Sequence, residues 1–269
     1  MSNEKNILLV GCGNMGQALL KGWLADGRAL KRIQVIDPSP EAVEVGCDLG
    51  VRFIDSPAMT NMPIDIVILA VKPQHLETVL PIYRDLTDSG TLVLTIAAGK
   101  PIKFYEQILR GTPAIVRGMP NTPAAIGEGM TVLSANAEVT VEQRRLCESL
   151  MGAVGDIAWL GDEGLMDVVT AISGSGPAYT FLLIECLTDA ALALGLDKKL
   201  AQQLAEKTVS GSGTYALKSD LASTELRKRV TSPGGTTEAA LEVLMNQDAL
   251  AELIQTAVQA ASERGRRLA

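Results

Sequence analysis

An apolar run from Asn6 to Val10 leads straight into Gly11-Cys12-Gly13-Asn14-Met15-Gly16. Ala18, Leu19, Leu20, Trp23 and Leu24 then recur at helical spacing. A second short apolar run, Ile33 to Ile36, ends in Asp37, about 20 residues past the glycines. A glycine-rich turn alone carries little information. A strand before it, a helix after it and an acid at the end of the next strand make it a dinucleotide-binding βαβ unit. The first two glycines permit a tight turn and close approach of a pyrophosphate. Gly16 lets helix and strand pack closely, and free N–H groups at the helix start face the phosphates. Asp37 is placed to accept hydrogen bonds from a ribose 2′-hydroxyl and to repel a 2′-phosphate. The following Pro38-Ser39-Pro40 offers one hydroxyl and no arginine, so by spacing alone the choice is NAD.

The alternation continues. Strands are expected at Val51–Ile54, Ile64–Val71, Thr91–Ile96, Ala114–Arg117, Met130–Leu133 and Asp156–Leu160, and helices at Leu76–Leu86, Ile102–Leu109 and Val141–Met151. Repeated βα units predict an open parallel sheet, with ligands at the carboxyl ends of its strands. Three strand ends carry small or polar residues suited to that: Ala70-Val71-Lys72-Pro73, Ala97-Ala98-Gly99 and Met119-Pro120-Asn121-Thr122-Pro123. Lys72 reads either as a contact to the cofactor or as a solvated lysine before a turn. His75, the single histidine, reads more readily as a surface or capping residue than as a general acid.

After Gly161 the composition changes and helical periodicity dominates. The longest apolar region, Leu165 to Leu196, contains Ser173-Gly174-Ser175-Gly176-Pro177-Ala178-Tyr179. Small residues in such a region mean close approach by another helix, a second copy of the chain or a ligand, and Pro177 ends or kinks the helix before it. Asp162 caps a helix with Glu163 in its first turn. Further helices are expected at Ala201–Leu217, Thr236–Asn246 and Ala249–Arg267. The first contains a second Ser-Gly-Ser-Gly, Ser210 to Gly213, read as a packing face. Arg229-Val230-Thr231-Ser232-Pro233-Gly234-Gly235-Thr236-Thr237-Glu238 sets glycines and hydroxyls at a helix start. It reads either as a carboxylate site or as an ordinary loop and cap, with Glu238 counting against an anion. The domains are therefore drawn as 1–161 for dinucleotide binding and 162–269 for a helical substrate-binding and dimerisation unit.

Composition narrows the function. An apolar fraction of 47% with only 3% aromatics predicts an aliphatic, alanine-rich core. A net charge of −7 argues against general affinity for nucleic acid or anionic membranes. Four scattered cysteines and one histidine offer no zinc ligand set and suit a reducing cytoplasm. No uninterrupted apolar stretch reaches the roughly 18 residues of a membrane span, and the polar start Met1–Asn6 predicts no signal peptide.

Taken together, Gly11–Gly16, Ala70–Pro73, Met119–Pro123, Ser173–Tyr179 and Val230–Thr237 resemble the pyrroline-5-carboxylate reductase family over nearly the whole chain. The last two stretches are far more specific than the first. The resemblance implies an N-terminal α/β Rossmann domain followed by an all-α dimerisation domain of the 6-phosphogluconate dehydrogenase C-terminal type. It also implies an interlocked homodimer and, in its larger form, a decameric ring of dimers. A helix apolar on most of its faces must itself be buried, which independently predicts a dimer through Leu165–Leu196. The implied activity is reduction of L-1-pyrroline-5-carboxylate to L-proline by hydride from NADP(H). Asp37 keeps NAD(H) in play, and no metal is expected.

The site residues follow motif by motif. The cofactor set is Gly11, Cys12, Gly13, Asn14, Met15, Gly16, Asp37, Ser39, Ala70, Val71, Lys72, Pro73, Ala97 and Ala98, with the two alanines flanking the nicotinamide. The substrate set is Ser232, Gly234, Gly235, Thr236, Thr237 and Ser175. Thr237, facing the ring nitrogen, and Glu163 are the implied catalytic residues; without the resemblance Glu163 reads as an acid complementing a helix dipole. Arg229 stands where many relatives carry asparagine, which removes support for a ribose contact there. Two rivals remain: a reductase of another cyclic imine or a β-hydroxyacid, and a non-catalytic dinucleotide-binding sensor. The hydroxyacid reading lacks a lysine beside Ser173, Ser175 and Tyr179; the sensor reading leaves the Ser232–Thr237 loop without a purpose.

Overall fold

A computed structural model describes residues 5–87 and 90–268; Met1–Glu4, part of the start read as lacking a signal peptide, lie outside them. The chain forms two compact units: residues 1–174 with 261–269, and residues 175–260. The composition change at Gly161 thus precedes the structural division, because residues 162–174 pack with the sheet.

In the first unit, β1 (Ile7–Val10), β2 (Ile33–Ile36), β3 (Arg52–Phe53), β4 (Ile66–Leu69), β5 (Leu92–Thr95), β6 (Ile115–Met119), β7 (Gly129–Ala135) and β8 (Gly155–Trp159) form one sheet. Its order is β3-β2-β1-β4-β5-β6-β7-β8. Helix α1 (Asn14–Ala25) follows β1, and α2 (Pro40–Asp48) follows β2. The short helices α3 (Leu76–Val79) and α4 (Arg84–Thr87) follow β4, α5 (Ile102–Leu109) follows β5, and α6 (Val141–Gly152) joins β7 to β8. The strands read as continuous apolar runs because both faces are covered. Ile7, Leu9, Ile66 and Ile68 point into one core with Trp23 and Leu150. Leu8, Val10, Val67 and Leu69 point into the other with Leu76 and Tyr105. Each such Leu or Ile, fully buried, contributes about 1.5–3 kcal/mol. Trp23 Nε1 donates to the Leu150 carbonyl at 2.8 Å, so the largest buried side chain also satisfies its polar atom.

Two expectations are corrected, and one helix is new. The sheet is mixed, not all parallel: β7 runs antiparallel to β6, with Gly118 opposite Leu133. Between them lies only a 3₁₀ turn, Thr122–Ile126, closed by left-handed Gly127. That is too short for the crossover a parallel pair requires. The single helix expected at Leu76–Leu86 is broken into α3, a 3₁₀ turn at Leu80–Tyr83 and α4, because Pro81 has no N–H to continue the ladder. Helix α2 was not expected at all. Ser39 and Pro40, read for cofactor chemistry, open it: the Ser39 hydroxyl accepts from Ala42 N and Pro40 stands in the first turn.

The first unit continues through α7 (Met166–Val169) and a π turn, Thr170–Gly174. The second unit holds α8 (Gly176–Ala193), α9 (Lys198–Lys218), α10 (Ser223–Arg229), α11 (Thr236–Met245) and most of α12 (Ala249–Leu268). Pro177 stands in the first turn of α8, so the proline that stops the preceding turn also starts the next helix. No residue of α8 is buried. Phe181, Leu182 and Leu183 are 57%, 58% and 51% exposed, so large apolar side chains stand uncovered around much of the helix. Among the described residues no helix is long and apolar enough to cross a membrane.

Candidate functional site

β1 and β4 are paired neighbours whose connections leave in opposite directions along the sheet, to β2 and to β5, and open sheets bind ligands at such a reversal. Gly11 takes φ +94°, and a Cβ there would lie 2.7 Å from the Ala70 carbonyl oxygen. A Cβ on Gly16 would collide with the Gly11 carbonyl. At Gly13 nothing lies within 4 Å. Two glycines therefore answer to the fold, and Gly13 leaves space open beside the start of α1. No side chain caps that helix, so its first turn has no side-chain acceptor of its own, the arrangement at which anions are bound in general.

Asp37 closes the loop from the side. One of its oxygens accepts Cys12 N at 2.5 Å and the other Ser39 N at 2.8 Å. Burial, with Asp37 nearby, pushes the Cys12 thiol up to about 11, so Cys12 is a neutral filler. Ser39 gives its hydroxyl to Glu41 Oε2 at 2.5 Å. A cleft of about 400 Å³ opens between Gly11, Asp37, Ser56, Val71, Ile82 and Tyr83. Asn14 and Met15 line a second cleft of about 380 Å³ with Gln17, Lys21, Thr122 and Ala125. Lys72, exposed, precedes the 3₁₀ turn Pro73–His75, and His75 N donates to its carbonyl. Neither Lys72 nor the exposed His75 lines either cleft.

Ala97 is buried and Ala98 partly exposed at the end of β5. Beside them is a polar cluster that sequence reading missed. Arg117 on β6 is only 5% exposed, and its Nη1 donates to Glu163 Oε1 at 2.9 Å. That same oxygen accepts Ile102 N at 2.8 Å. Thr95 Oγ1 donates to the Tyr105 hydroxyl at 2.7 Å, and burial raises that phenol to about 12. The available signal was one cation inside an otherwise apolar strand, since a buried guanidinium needs a partner. Asn121 is a second bridge: its Nδ2 donates to the Ser173 carbonyl and hydroxyl, both at 3.3 Å, and its Oδ1 accepts Met130 N at 2.8 Å.

In the second unit, Ser175 immediately precedes α8 and its hydroxyl caps nothing. Gly235 is the N-cap of α11, again without a side-chain cap. Gly234 takes φ +70° and gives its N–H to Glu238 Oε2 at 2.6 Å. A Cβ on Gly235 would lie 2.5 Å from Ser232 Oγ, so the loop closes tightly on itself. Glu238 consumes one donor of this turn, and the N–H groups of Thr236 and Thr237 follow it at the helix start. Arg229 ends α10. The first unit thus brings together Gly11–Gly16, Asp37 and Ser39, and the second brings together Ser232–Thr237. Among the described residues no cluster of three or more His, Cys, Asp or Glu could hold a metal.

Residues 163–268 match the family described as pyrroline-5-carboxylate reductase dimerisation. Residues 6–99 match that described as coenzyme F420-dependent NADP oxidoreductase. The chain is 39% identical over 264 residues to the pyrroline-5-carboxylate reductase of Pseudomonas aeruginosa, covering 98% of this chain and 96% of that one. Among solved structures it is similar to a pyrroline-5-carboxylate reductase from Coxiella burnetii, with TM-score 0.93, 38% identity and 99% of each chain covered. It is also similar to Plasmodium falciparum pyrroline carboxylate reductase with NADP bound, with TM-score 0.87, 30% identity and 99% and 98% of the chains covered.

Proposed function

The chain belongs to the pyrroline-5-carboxylate reductase family, and from that premise we infer that it reduces L-1-pyrroline-5-carboxylate to L-proline with NADP(H), completing proline biosynthesis. It is an NAD(P)H-dependent oxidoreductase with a Rossmann domain and a helical dimerisation domain. The observation that carries the substrate assignment is the uncapped start of α11, with Gly235 as N-cap and two threonines in the first turn.

The residues present fit a dinucleotide. Gly13 leaves room where a pyrophosphate would lie, α1 presents uncapped N–H groups, and the cleft beside Asp37 can receive the adenosine half. Gly11, Cys12, Gly13, Asn14, Met15 and Gly16 would hold the phosphates, Asp37 and Ser39 the adenosine ribose. Ala70, Val71, Lys72 and Pro73 would border the cofactor, and Ala97 and Ala98 the nicotinamide. When bound, the reduced nicotinamide supplies a hydride to the imine carbon. The N–H groups of Gly235, Thr236 and Thr237 hold the substrate carboxylate, in a loop shaped by Ser232 and Gly234. The Thr237 hydroxyl faces the protonated ring nitrogen, and Ser175 borders the substrate. Glu238 keeps Gly234 N–H occupied and so holds the loop shape without reaching the carboxylate. The protonated imine is electrophilic already, so positioning of donor and acceptor carbons at about 3–3.5 Å carries most of the acceleration. Glu163, the second residue expected to be catalytic, has Oε1 engaged by two donors and is treated below.

Dinucleotide binding is assigned to residues 1–161, and substrate binding with dimerisation to 162–269. The protein forms oligomers. The exposed apolar surface of α8 supports a homodimer through that helix, and a decamer of such dimers is the assembly we propose. Free Cys12, Cys47, Cys147 and Cys186 support a cytoplasmic site of action.

The test is loss of nicotinamide absorbance when the imine is added with NADPH and, separately, with NADH. Rapid oxidation is expected, faster with NADPH. A protein that binds nucleotide but oxidises neither coenzyme would overturn the assignment.

A further inference from the structure

We propose that Arg117 is a positioning residue for hydride transfer: through Glu163 it fixes the 97–101 turn, which carries Ala97 and Ala98. The inference rests on reading those two alanines as neighbours of the nicotinamide.

The turn connects β5 to α5 and is tied at both ends. At its start, Ala97 N approaches Thr95 Oγ1 at 3.4 Å, and that hydroxyl is itself held by Tyr105, a fully buried residue of α5. At its finish, Ile102 opens α5 with no side-chain cap from its own loop, because Pro101 stands at the N-cap position and its ring carries no acceptor. The missing acceptor comes from Glu163, 61 residues further along the chain. A carboxylate at a helix start is favoured by the helix dipole, but one on a distant turn must be held there. Arg117 does that. It is the register partner of Thr95 across β5 and β6, so both ties leave the same face of the sheet side by side. Its side chain is 6% exposed and that of Glu163 25%.

A pair this buried contributes little to stability compared with apolar residues of the same shape. What it supplies that apolar residues would not is direction. The guanidinium places Glu163 Oε1 where it can also accept Ile102 N. The turn is then fixed in position before cofactor binds, and a displacement of the ring by even about 1 Å is enough to slow transfer about a hundredfold.

The experiment uses the full-length protein and its Arg117→Met, Arg117→Lys and Glu163→Gln variants. Three quantities are measured: NADPH affinity by nicotinamide fluorescence, affinity for adenosine 2′,5′-bisphosphate by calorimetry, and kcat with the imine. The bisphosphate occupies the adenosine half and never reaches the turn. Arg117→Met should lower kcat at least about tenfold and weaken NADPH, while bisphosphate affinity stays within about twofold; Arg117→Lys, which keeps the charge but not the rigid planar group, should recover only part of the loss. Wild-type kcat and NADPH affinity in Arg117→Met would overturn the proposal. So would parallel loss of NADPH and bisphosphate, which marks a purely structural role. If Arg117→Met does not fold, Glu163→Gln and Arg117→Lys are read by the same split, with smaller losses expected. If the parent protein turns over no imine, the functional assignment falls, and the NADPH-against-bisphosphate split still decides this one.

Discussion

Asp37 Oδ2 accepts the Cys12 backbone N–H at 2.5 Å, tying the end of β2 to the middle of the glycine loop. Its other oxygen accepts Ser39 N, so the acid that marks the cofactor fingerprint also braces it. Asp37→Ala should lower stability by about 1–3 kcal/mol, since two N–H groups lose a charged acceptor. It should raise KM for both coenzymes, and more for NADH, because a ribose acceptor goes while repulsion of a 2′-phosphate is relieved. Chemical denaturation and the ratio of kcat/KM values check both parts. A ratio shifted toward NADH would refute the electrostatic part.

Thr237 stands in the first turn of α11. Thr237→Val keeps its shape and removes the hydroxyl proposed to face the ring nitrogen. The expected loss in kcat/KM for the imine is about ten- to a hundredfold, the worth of one hydrogen bond in a desolvated site. Coenzyme affinity should hold. Unchanged kcat/KM would remove Thr237 from the catalytic assignment.

Cys147 is fully buried, and burial raises its thiol from 9.0 to about 12. Between those values the unfolded chain has released a proton that the folded chain retains. Stability therefore falls as pH rises above about 9, by up to about 1.4 kcal/mol per pH unit, and this contribution is constant below that point. Urea titrations at stepwise higher pH should show this slope, and Cys147→Ala should flatten it. Equal slopes in the two proteins would contradict the assignment.

Phe181 and Leu183 lie on the exposed apolar surface of α8. Carboxylates there would be desolvated at a buried interface between copies. Phe181→Glu/Leu183→Glu should sediment as a smaller species than the parent. An unchanged sedimentation coefficient would move the interface away from α8.

Local chemistry explains what was legible beforehand. Gly11 and Gly16 are required by backbone approach within one βαβ unit, and every partner in that argument is near in sequence. Gly235 likewise closes a loop on Ser232, and Gly234 beside it supplies the left-handed φ of +70°. What went unread had local causes too: Ser39-Pro40, read for the cofactor, also starts a helix, and Pro81 breaks one. The antiparallel β7 follows from the length of the 120–128 connection, which the repeating βα pattern obscured.

The amino-acid sequence alone determined the dinucleotide-binding unit, the helical second half, the family and the residues of both loops, because each is encoded by spacing within a few turns or strands. Only the tertiary structure decided what Glu163 does. As a string it is an acid in a first turn. In the fold its carboxylate meets Ile102 N and Arg117 Nη1, 61 and 46 residues away along the chain. A buried charge takes whichever partner the packing brings within about 3 Å, and sheet order sets that distance where sequence separation does not.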